Sequence, residues 1–315
     1  YVFVHYSKIL SLISFNQQNI SQKILAFSVH KKALSLLSTK EINNYMKKNF
    51  KKDRFYYNPD FLASASGRSI RILSEYYGPL DRIKKNKISD TIVFFGSARI
   101  KSKDQATKDL ENAKDQNDSS IIKRLQMDLK MSRYYEEARI LAKKFTQWSQ
   151  NIESQNQHYV ICSGGGPGIM EAANRGASEA EGSNIGLTIS LPFEESGNKW
   201  ISENLNMKFH YFFMRKFWFV YLAKAIIVWP GGFGTLDELM EVLTLIQTEK
   251  IKKRLPIVLY GKEFWENVVN WDYLVEIGTI SKQDLDLFYF TDDIDETFNY
   301  VKNFIEENQL IGPNF

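Results

Sequence analysis

Nine consecutive residues, Pro230-Gly231-Gly232-Phe233-Gly234-Thr235-Leu236-Asp237-Glu238, carry the residue types of an anion seat with a carboxylate beside it. They follow the apolar run Ala225-Ile226-Ile227-Val228-Trp229, which is short and rich in Ile and Val, as a buried parallel strand is. The glycines let the backbone turn sharply and approach a ligand closely. Thr235 suits the N-cap of a following helix, and Glu238 stands three residues on, in what is then the first turn. Free N–H groups at such a helix start bind phosphate, so Gly231, Gly232, Phe233, Gly234 and Thr235 form the expected phosphate-binding set. Thr-x-x-Glu has a second reading, a capping box in which Glu238 only satisfies the backbone N–H of Thr235; three glycines exceed what a cap requires. A carboxylate in a first helical turn is expected to be ionised at neutral pH. That suits a base, or a stabiliser of developing positive charge, and not a proton donor. Positive charge of this kind develops on a sugar when a glycosidic bond breaks. A phosphate nearby repels the carboxylate, so a cation is needed, and Arg215 is the candidate. Arg215 and Lys216 interrupt the aromatic segment Phe209–Ala223; they either snorkel to water or bring Arg215 to the ligand and to Glu238.

These residues need a scaffold that converges on one place. Strands are expected at Thr91–Ser97, Tyr159–Ser163, Asn184–Leu191, Ala225–Trp229, Pro256–Tyr260 and Leu287–Phe290, alternating with helices at about Ile169–Ala180, Phe209–Ala223, Leu236–Lys250 and Ile294–Glu307. The charged stretch from Lys103 to Gln150 reads as two helices, the first largely solvated. The alternation implies an α/β parallel sheet with helices on both faces, covering residues 89–315, where ligands bind at the carboxyl ends of the strands. Three of those ends carry small or glycine-rich turns: Gly96-Ser97-Ala98, Ser163 to Gly168, and Gly231 to Thr235. None has the placement of a dinucleotide fingerprint, and the last lacks the lysine of a P-loop, so a mononucleotide or sugar phosphate fits better than NAD or ATP. Residues 1–88 read as a helical extension, with one helix that includes Ile70 to Tyr77 and is stopped by Gly78-Pro79.

The chain has 315 residues, of which 43% are hydrophobic and 14% aromatic, and a net charge of +4, which argues against a nucleic-acid binder. Cys162, the single cysteine, lies in a strand and excludes an internal disulfide, in keeping with a reducing, cytoplasmic setting. His5, His30, His158 and His210 show no metal-ligand spacing, and no apolar run reaches membrane-spanning length. The first residue is Tyr1 rather than Met, which leaves room for a missing N-terminal piece or a trimmed targeting segment.

The nonapeptide together with Arg215-Lys216 resembles the LOG ("Lonely Guy") family of cytokinin riboside 5'-monophosphate phosphoribohydrolases, long labelled lysine decarboxylases. Pro230 to Glu238 fulfil the family pattern PGGxGTxxE, and the Arg-Lys pair lies on the helix before the same strand. The chain departs from compact members at Gly168-Ile169-Met170-Glu171, at Phe213 in place of a histidine, and in its long N-terminal and 103–150 segments, which point to a larger bacterial-type branch. The resemblance implies a modified Rossmann fold with about six to seven strands, a homodimer or higher homo-oligomer, no metal and no organic cofactor. It implies hydrolysis of a nucleoside 5'-monophosphate, cytokinin-type or AMP-like, to free base and ribose 5-phosphate, with Arg215 and Glu238 catalytic. Ser97, Arg99, Gly165, Glu171 and Lys216 are expected near base and ribose, although Glu171 has an equal alternative in a salt bridge to Arg175. Two other classes compete. A non-catalytic nucleotide or molybdenum-cofactor carrier does not need the Arg215–Glu238 pair. A pyridoxal-phosphate decarboxylase needs a lysine placed for a Schiff base.

Overall fold

The computed structural model describes residues 54–113, 118–189 and 197–308. The chain divides into two compact units, Tyr1–Arg71 and Ile72–Phe315. Residues 1–53 of the expected helical extension lie outside the described residues. Within the first unit, Asn58 caps the short helix α1 (Pro59–Ala63) by accepting from the Phe61 N–H, and the Arg71 guanidinium donates to the carbonyls of Leu62 and Ser64.

The boundary between the units falls inside helix α2 (Arg68–Lys85). Gly78-Pro79 does not stop this helix as expected: Pro79 sits inside it, buried. A proline leaves the carbonyl four residues earlier without its helical donor. That carbonyl belongs to Glu75, and the Trp218 indole N–H donates to it at 2.9 Å. The Glu75 carboxylate also accepts from the backbone N–H groups of His210 and Tyr211, at 2.7 and 3.2 Å. Those amides stand at the start of the aromatic helix, so Glu75 supplies the cap that its own N-cap residue, Tyr211, does not.

The rest of the second unit is a sheet of seven parallel strands with helices on both faces, the α/β class expected. After β1 (Thr91–Phe95) come helices α3 (Lys103–Asn112) and α4 (Ser119–Gln150), then β2 (Val160–Ser163), α5 (Ile169–Glu179), β3 (Asn184–Ile189) and β4 (Asn206–Phe209). The aromatic helix α6 (Phe212–Leu222) leads into β5 (Ala223–Val228), α7 (Phe233–Gln247) and β6 (Ile257–Tyr260). Two short helices, α8 (Lys262–Val268) and α9 (Trp271–Glu276), precede β7 (Tyr289–Thr291) and α10 (Ile294–Glu307). Strand β4 has no counterpart in the sequence reading. It is a four-residue edge strand in which only Met207 and Phe209 face inward, too short for periodicity to separate from a loop. Its presence delays the start of the aromatic helix to Phe212, and β5 begins at Ala223, earlier than expected.

Alternate residues of the strands feed two cores. Val93, Phe95, Ile226, Val228 and Leu259 pack against α6 and α7 through Trp218, Phe219, Leu239 and Val242. Ile92, Phe94, Ile161, Ile227 and Val258 pack against α4, α5 and α10 through Leu141, Phe145, Ala173 and Val301. Cys162 is buried in the first of these, and burial pushes its thiol pKa up, as suits a strand residue and not a nucleophile. No helix among the described residues is long and apolar enough to cross a membrane.

The sheet order is β4-β3-β2-β1-β5-β6-β7. The chain therefore winds one way from β1 and the other way from β5, and the carboxyl ends of these two adjacent strands form the topological switch point. Beyond the strands the two chains stay paired: the Trp229 N–H donates to the Phe95 carbonyl and the Ser97 N–H to the Pro230 carbonyl.

Two substitutions test how α2 is tied to α6. Trp218→Phe should destabilise the protein by about 1 kcal/mol, since it removes the donor of a part-buried hydrogen bond to the Glu75 carbonyl. Glu75→Ala should cost about 1–2 kcal/mol through the lost cap. Urea denaturation of each full-length variant measures both.

Candidate functional site

A cavity of about 590 Å³ opens at this switch point. The β1 end contributes Phe95, Gly96, Ser97, Ala98 and Arg99; the start of α7 contributes Gly232 to Leu236 and Glu238. Arg215 and Phe219 reach it from α6, Gly164 from the second glycine turn and Met170 from the start of α5. All three turns singled out in the sequence thus meet at one place.

The α7 start differs from the expectation in register. The helix begins at Phe233 with Gly232 as N-cap, so Thr235 is its third residue and not its cap, and Glu238 lies beyond the first turn. No side chain caps this end, which removes the capping-box reading of Glu238. The cause is Gly231. A Cβ there would stand 2.1 Å from the Thr235 hydroxyl oxygen, so the Thr235 side chain folds back onto Gly231 inside the first turn. Added Cβ atoms on Gly232 or Gly234 would meet nothing within 4 Å. The absence of side chains at these two positions leaves open space in front of the free N–H groups, which is what an anion seat requires. Phe233 stands at the same rim, 93% exposed.

Arg215 and Glu238 face each other across this space. The Arg215 Nη2 lies 3.3 Å from the Glu238 Oε1, with the two side chains only 15% and 9% exposed. Arg215 does not snorkel. Its guanidinium lies over the rings of Phe212 and Phe219, and its Nε is buried without a hydrogen-bond acceptor. A largely buried cation that lines an open cavity is equipped to take up an anion. Burial lowers the Arg215 pKa, against the pull of Glu238.

Glu238 corrects a second expectation. Its pKa is pushed up to about 7, chiefly by burial, with Arg215 and Lys216 opposing and Asp237 and Glu241 adding to the rise. The expected full ionisation assumed a solvated place in the first helical turn. One turn further on, out of water, loss of hydration outweighs the dipole. The group therefore divides between carboxyl and carboxylate near neutral pH.

The remaining predicted residues fall in different places. Ser97 and Arg99 line the cavity, with the Ser97 hydroxyl accepting from the Arg99 N–H. Gly165 is buried behind the cavity wall, which is made there by Gly164; its φ of +71° favours glycine, and its carbonyl accepts from the N–H and side-chain amide of Asn198. Glu171 accepts from the Tyr135 hydroxyl at 2.8 Å, outside the lining, while Arg175 pairs with Glu179. Lys216 is not a lining residue either; it forms ion pairs with Asp237 and Glu241.

Sequence reading missed the support of the second turn. The Ser163 hydroxyl donates to Asn174, Asn174 donates to Asn184, and Asn198 donates both to Asn174 and to the carbonyl of Gly166. Polar residues in an apolar strand and helix are the available signal, since buried amides need partners. The turn is also locked to β1. The Ile169 N–H donates to the Ser97 carbonyl, and a Cβ on Gly168, at φ +70°, would lie 2.3 Å from that same oxygen. Met170, Phe219 and Gly164 were likewise not assigned to the site from sequence, because their roles depend on which way each turn faces.

The geometry can be set beside known proteins. Residues 170–301, which include Arg215, Lys216 and the whole nonapeptide, match the family described as possible lysine decarboxylase. Over 110 residues the chain is 34% identical to the pyrimidine/purine nucleotide 5'-monophosphate nucleosidase of Escherichia coli, in strain K12 and in O157:H7. The match covers 32% of this chain and 24% of the relative, so the chain spans about a quarter of the length of these curated relatives. It is similar to the X-ray structure of TM1055, with 18% identity and a TM-score of 0.40, covering 68% of this chain and 99% of that one. A molybdenum cofactor carrier protein from Chlamydomonas reinhardtii is similar at 14% identity and a TM-score of 0.37, over 69% of this chain and 99% of that one.

Two glycine substitutions should separate scaffold from seat. Gly168→Ala combines positive φ with a clash and should cost about 2–3 kcal/mol of stability, read by chemical denaturation. Gly232→Ala, which meets no protein atom, should leave the melting temperature unchanged and weaken the binding of ribose 5-phosphate at least about tenfold by calorimetry.

Proposed function

We propose, from the match of residues 170–301 to the family described as possible lysine decarboxylase and its resemblance to the LOG pattern, that the protein hydrolyses the N-glycosidic bond of a nucleoside 5'-monophosphate. The observation that carries this reading is the buried Arg215–Glu238 pair facing the open start of α7. The likeness to a nucleotide 5'-monophosphate nucleosidase supports the same chemistry over the stretch that matches.

In this reading the 5'-phosphate sits on the free N–H groups from Phe233 to Thr235 and takes a hydrogen bond from Arg215. The sugar C1' then lies toward Glu238. The C–N bond to the base breaks with its electron pair going to the base, and the oxocarbenium-like sugar is stabilised by the Glu238 carboxylate. That carboxylate orients a water onto C1', giving ribose 5-phosphate, and the base leaves protonated by solvent or by the water's proton. Ser97 and Arg99, on the opposite wall, are the residues proposed to meet base and ribose. Purine nucleotides such as AMP and cytokinin-type nucleotides are both within the proposed substrate class. A homodimer or higher oligomer is part of the proposal, supported by Phe212 and Phe213, which are half-exposed on α6.

A pyridoxal-phosphate decarboxylase is disfavoured by the lining, which contains no lysine among the described residues. A carrier is disfavoured by the Arg215–Glu238 pair, which binding alone does not need.

The assay is base release from a panel of nucleoside 5'-monophosphates, each beside its unphosphorylated nucleoside. Only the phosphorylated forms should turn over. Glu238→Gln should reduce kcat at least about 100-fold while nucleotide binding persists; unchanged turnover in that variant would overturn the mechanism. Because the Glu238 pKa is raised and the carboxylate is the working form, kcat/KM should rise with pH through an apparent pKa of about 7. A profile that falls through the same pH would instead make Glu238 the acid that protonates the leaving base. Tight AMP binding with no product over hours would favour the carrier.

A further inference from the structure

We propose that Lys216 is a positioning residue for this reaction, clamping Asp237 and Glu241 so that the Glu238 between them keeps its working charge. The inference rests on the reading of Glu238 given above.

Asp237, Glu238 and Glu241 crowd three carboxylates into little more than one turn of α7. Like charges at this spacing on a helix repel. Helix α6 answers with two adjacent cations that divide the task. Arg215 turns into the cavity and meets Glu238, whereas Lys216 turns away from it and places its Nζ 2.8 Å from Asp237 and 2.6 Å from Glu241. The Lys216 side chain is only 16% exposed, although Asp237 is 59% exposed, so the ammonium is held against the helix by both partners and is not an ordinary surface charge. Its position outside the cavity lining separates it from ligand contact. From the other elements around the cavity, Arg99 on the β1 loop is the one charged side chain among the described lining residues besides Arg215 and Glu238, and the second glycine turn contributes no charged lining residue.

Removing the Lys216 ammonium would leave two uncompensated negative charges flanking a buried carboxylate. Each disfavours the ionised form of Glu238, and the loss of the cation does so again. The effect is therefore on the fraction of enzyme in the active state, and not on affinity for the nucleotide. Sequence proximity to Arg215 hides this difference: one residue along the helix, about 100° of rotation, changes the partner from a reacting group to its neighbours.

The test uses the full chain and four proteins: wild type, Lys216→Met, Lys216→Arg, and Lys216→Met combined with Asp237→Asn and Glu241→Gln. Two quantities are read. One is the pH profile of kcat/KM for AMP. The other is the Glu238 pKa itself, from the carbon-13 NMR titration of labelled glutamate carboxyls, assigned by difference against Glu238→Gln. Lys216→Met should move both midpoints up by about one pH unit, lower kcat several-fold at pH 7 and leave KM within about twofold. Its kcat should recover at pH 9. Lys216→Arg should behave as wild type, and the triple variant should return the midpoints to the wild-type value or below it. A raised KM at every pH with no recovery would make Lys216 a substrate contact and overturn the proposal. So would a lowered melting temperature with unmoved midpoints, which is the signature of a purely structural clamp. If Lys216→Met fails to fold, Asp237→Asn with Glu241→Gln on the wild-type background should lower the Glu238 midpoint, and an unmoved midpoint there also overturns the proposal. The NMR arm needs no turnover, so an inactive wild-type protein would remove the hydrolase reading while this inference was still decided.

Discussion

A guanidinium and a carboxyl group, both taken out of water and set against each other across a helix junction, are the constraint on which the architecture turns. Neither charge is tolerable alone at such burial; losing one partner of a buried pair costs about 3–5 kcal/mol. Yet the contact is a single 3.3 Å approach, not a bidentate fork, and the Arg215 Nε has no acceptor. The pair is thus held together without being fully satisfied. Folding supplies the proximity through β5, which joins α6 to α7, and leaves the Arg215 Nε without a partner. In the proposed reaction this would be electrostatic preorganisation, with the polar groups fixed before the charge they would meet develops.

The same low-dielectric setting explains why Glu238 is not a simple anion. Desolvation raises its pKa, and two neighbouring carboxylates push the same way, while two cations from α6 oppose them. The outcome near neutrality is a balance of several individually large effects. Such a balance is sensitive to residues that never touch the ligand. It also makes the helix α6 register consequential, since Arg215 and Lys216 serve different carboxylates from adjacent positions.

Much of this was legible in the residues themselves. Buried parallel strands announce themselves as short Ile- and Val-rich runs, so β1, β2, β3, β5 and β6 were visible, and three small-residue turns at strand ends implied convergence. Arg215, Glu238 and the glycine turn could be paired because a phosphate beside a carboxylate demands a cation. What was not legible depended on tertiary contact. Strand β4 is four residues on an edge. Pro79 looks like a helix stop until Trp218 is found supplying the donor it lacks. Thr235 looks like an N-cap until its side chain is found folded back onto Gly231, with the helix starting three residues earlier and Glu238 out of the first turn. That small difference in register turns an expected full ionisation of the central side chain into a divided one near neutral pH.

The attachment of α2 carries one more consequence. Glu75 holds the two amides just ahead of α6, those of His210 and Tyr211, with its carboxylate and receives the Trp218 indole on its carbonyl, so two of the fastenings on the arginine-bearing helix come from a segment that precedes the first strand by more than a dozen residues. An evolutionary or engineered trimming of the chain to its sheet-forming portion would strip those fastenings while leaving every cavity-lining residue in place. A chain cut after Glu75 would therefore keep its cavity lining but lose the groups that hold the arginine-bearing helix at both its start and its Trp218 turn.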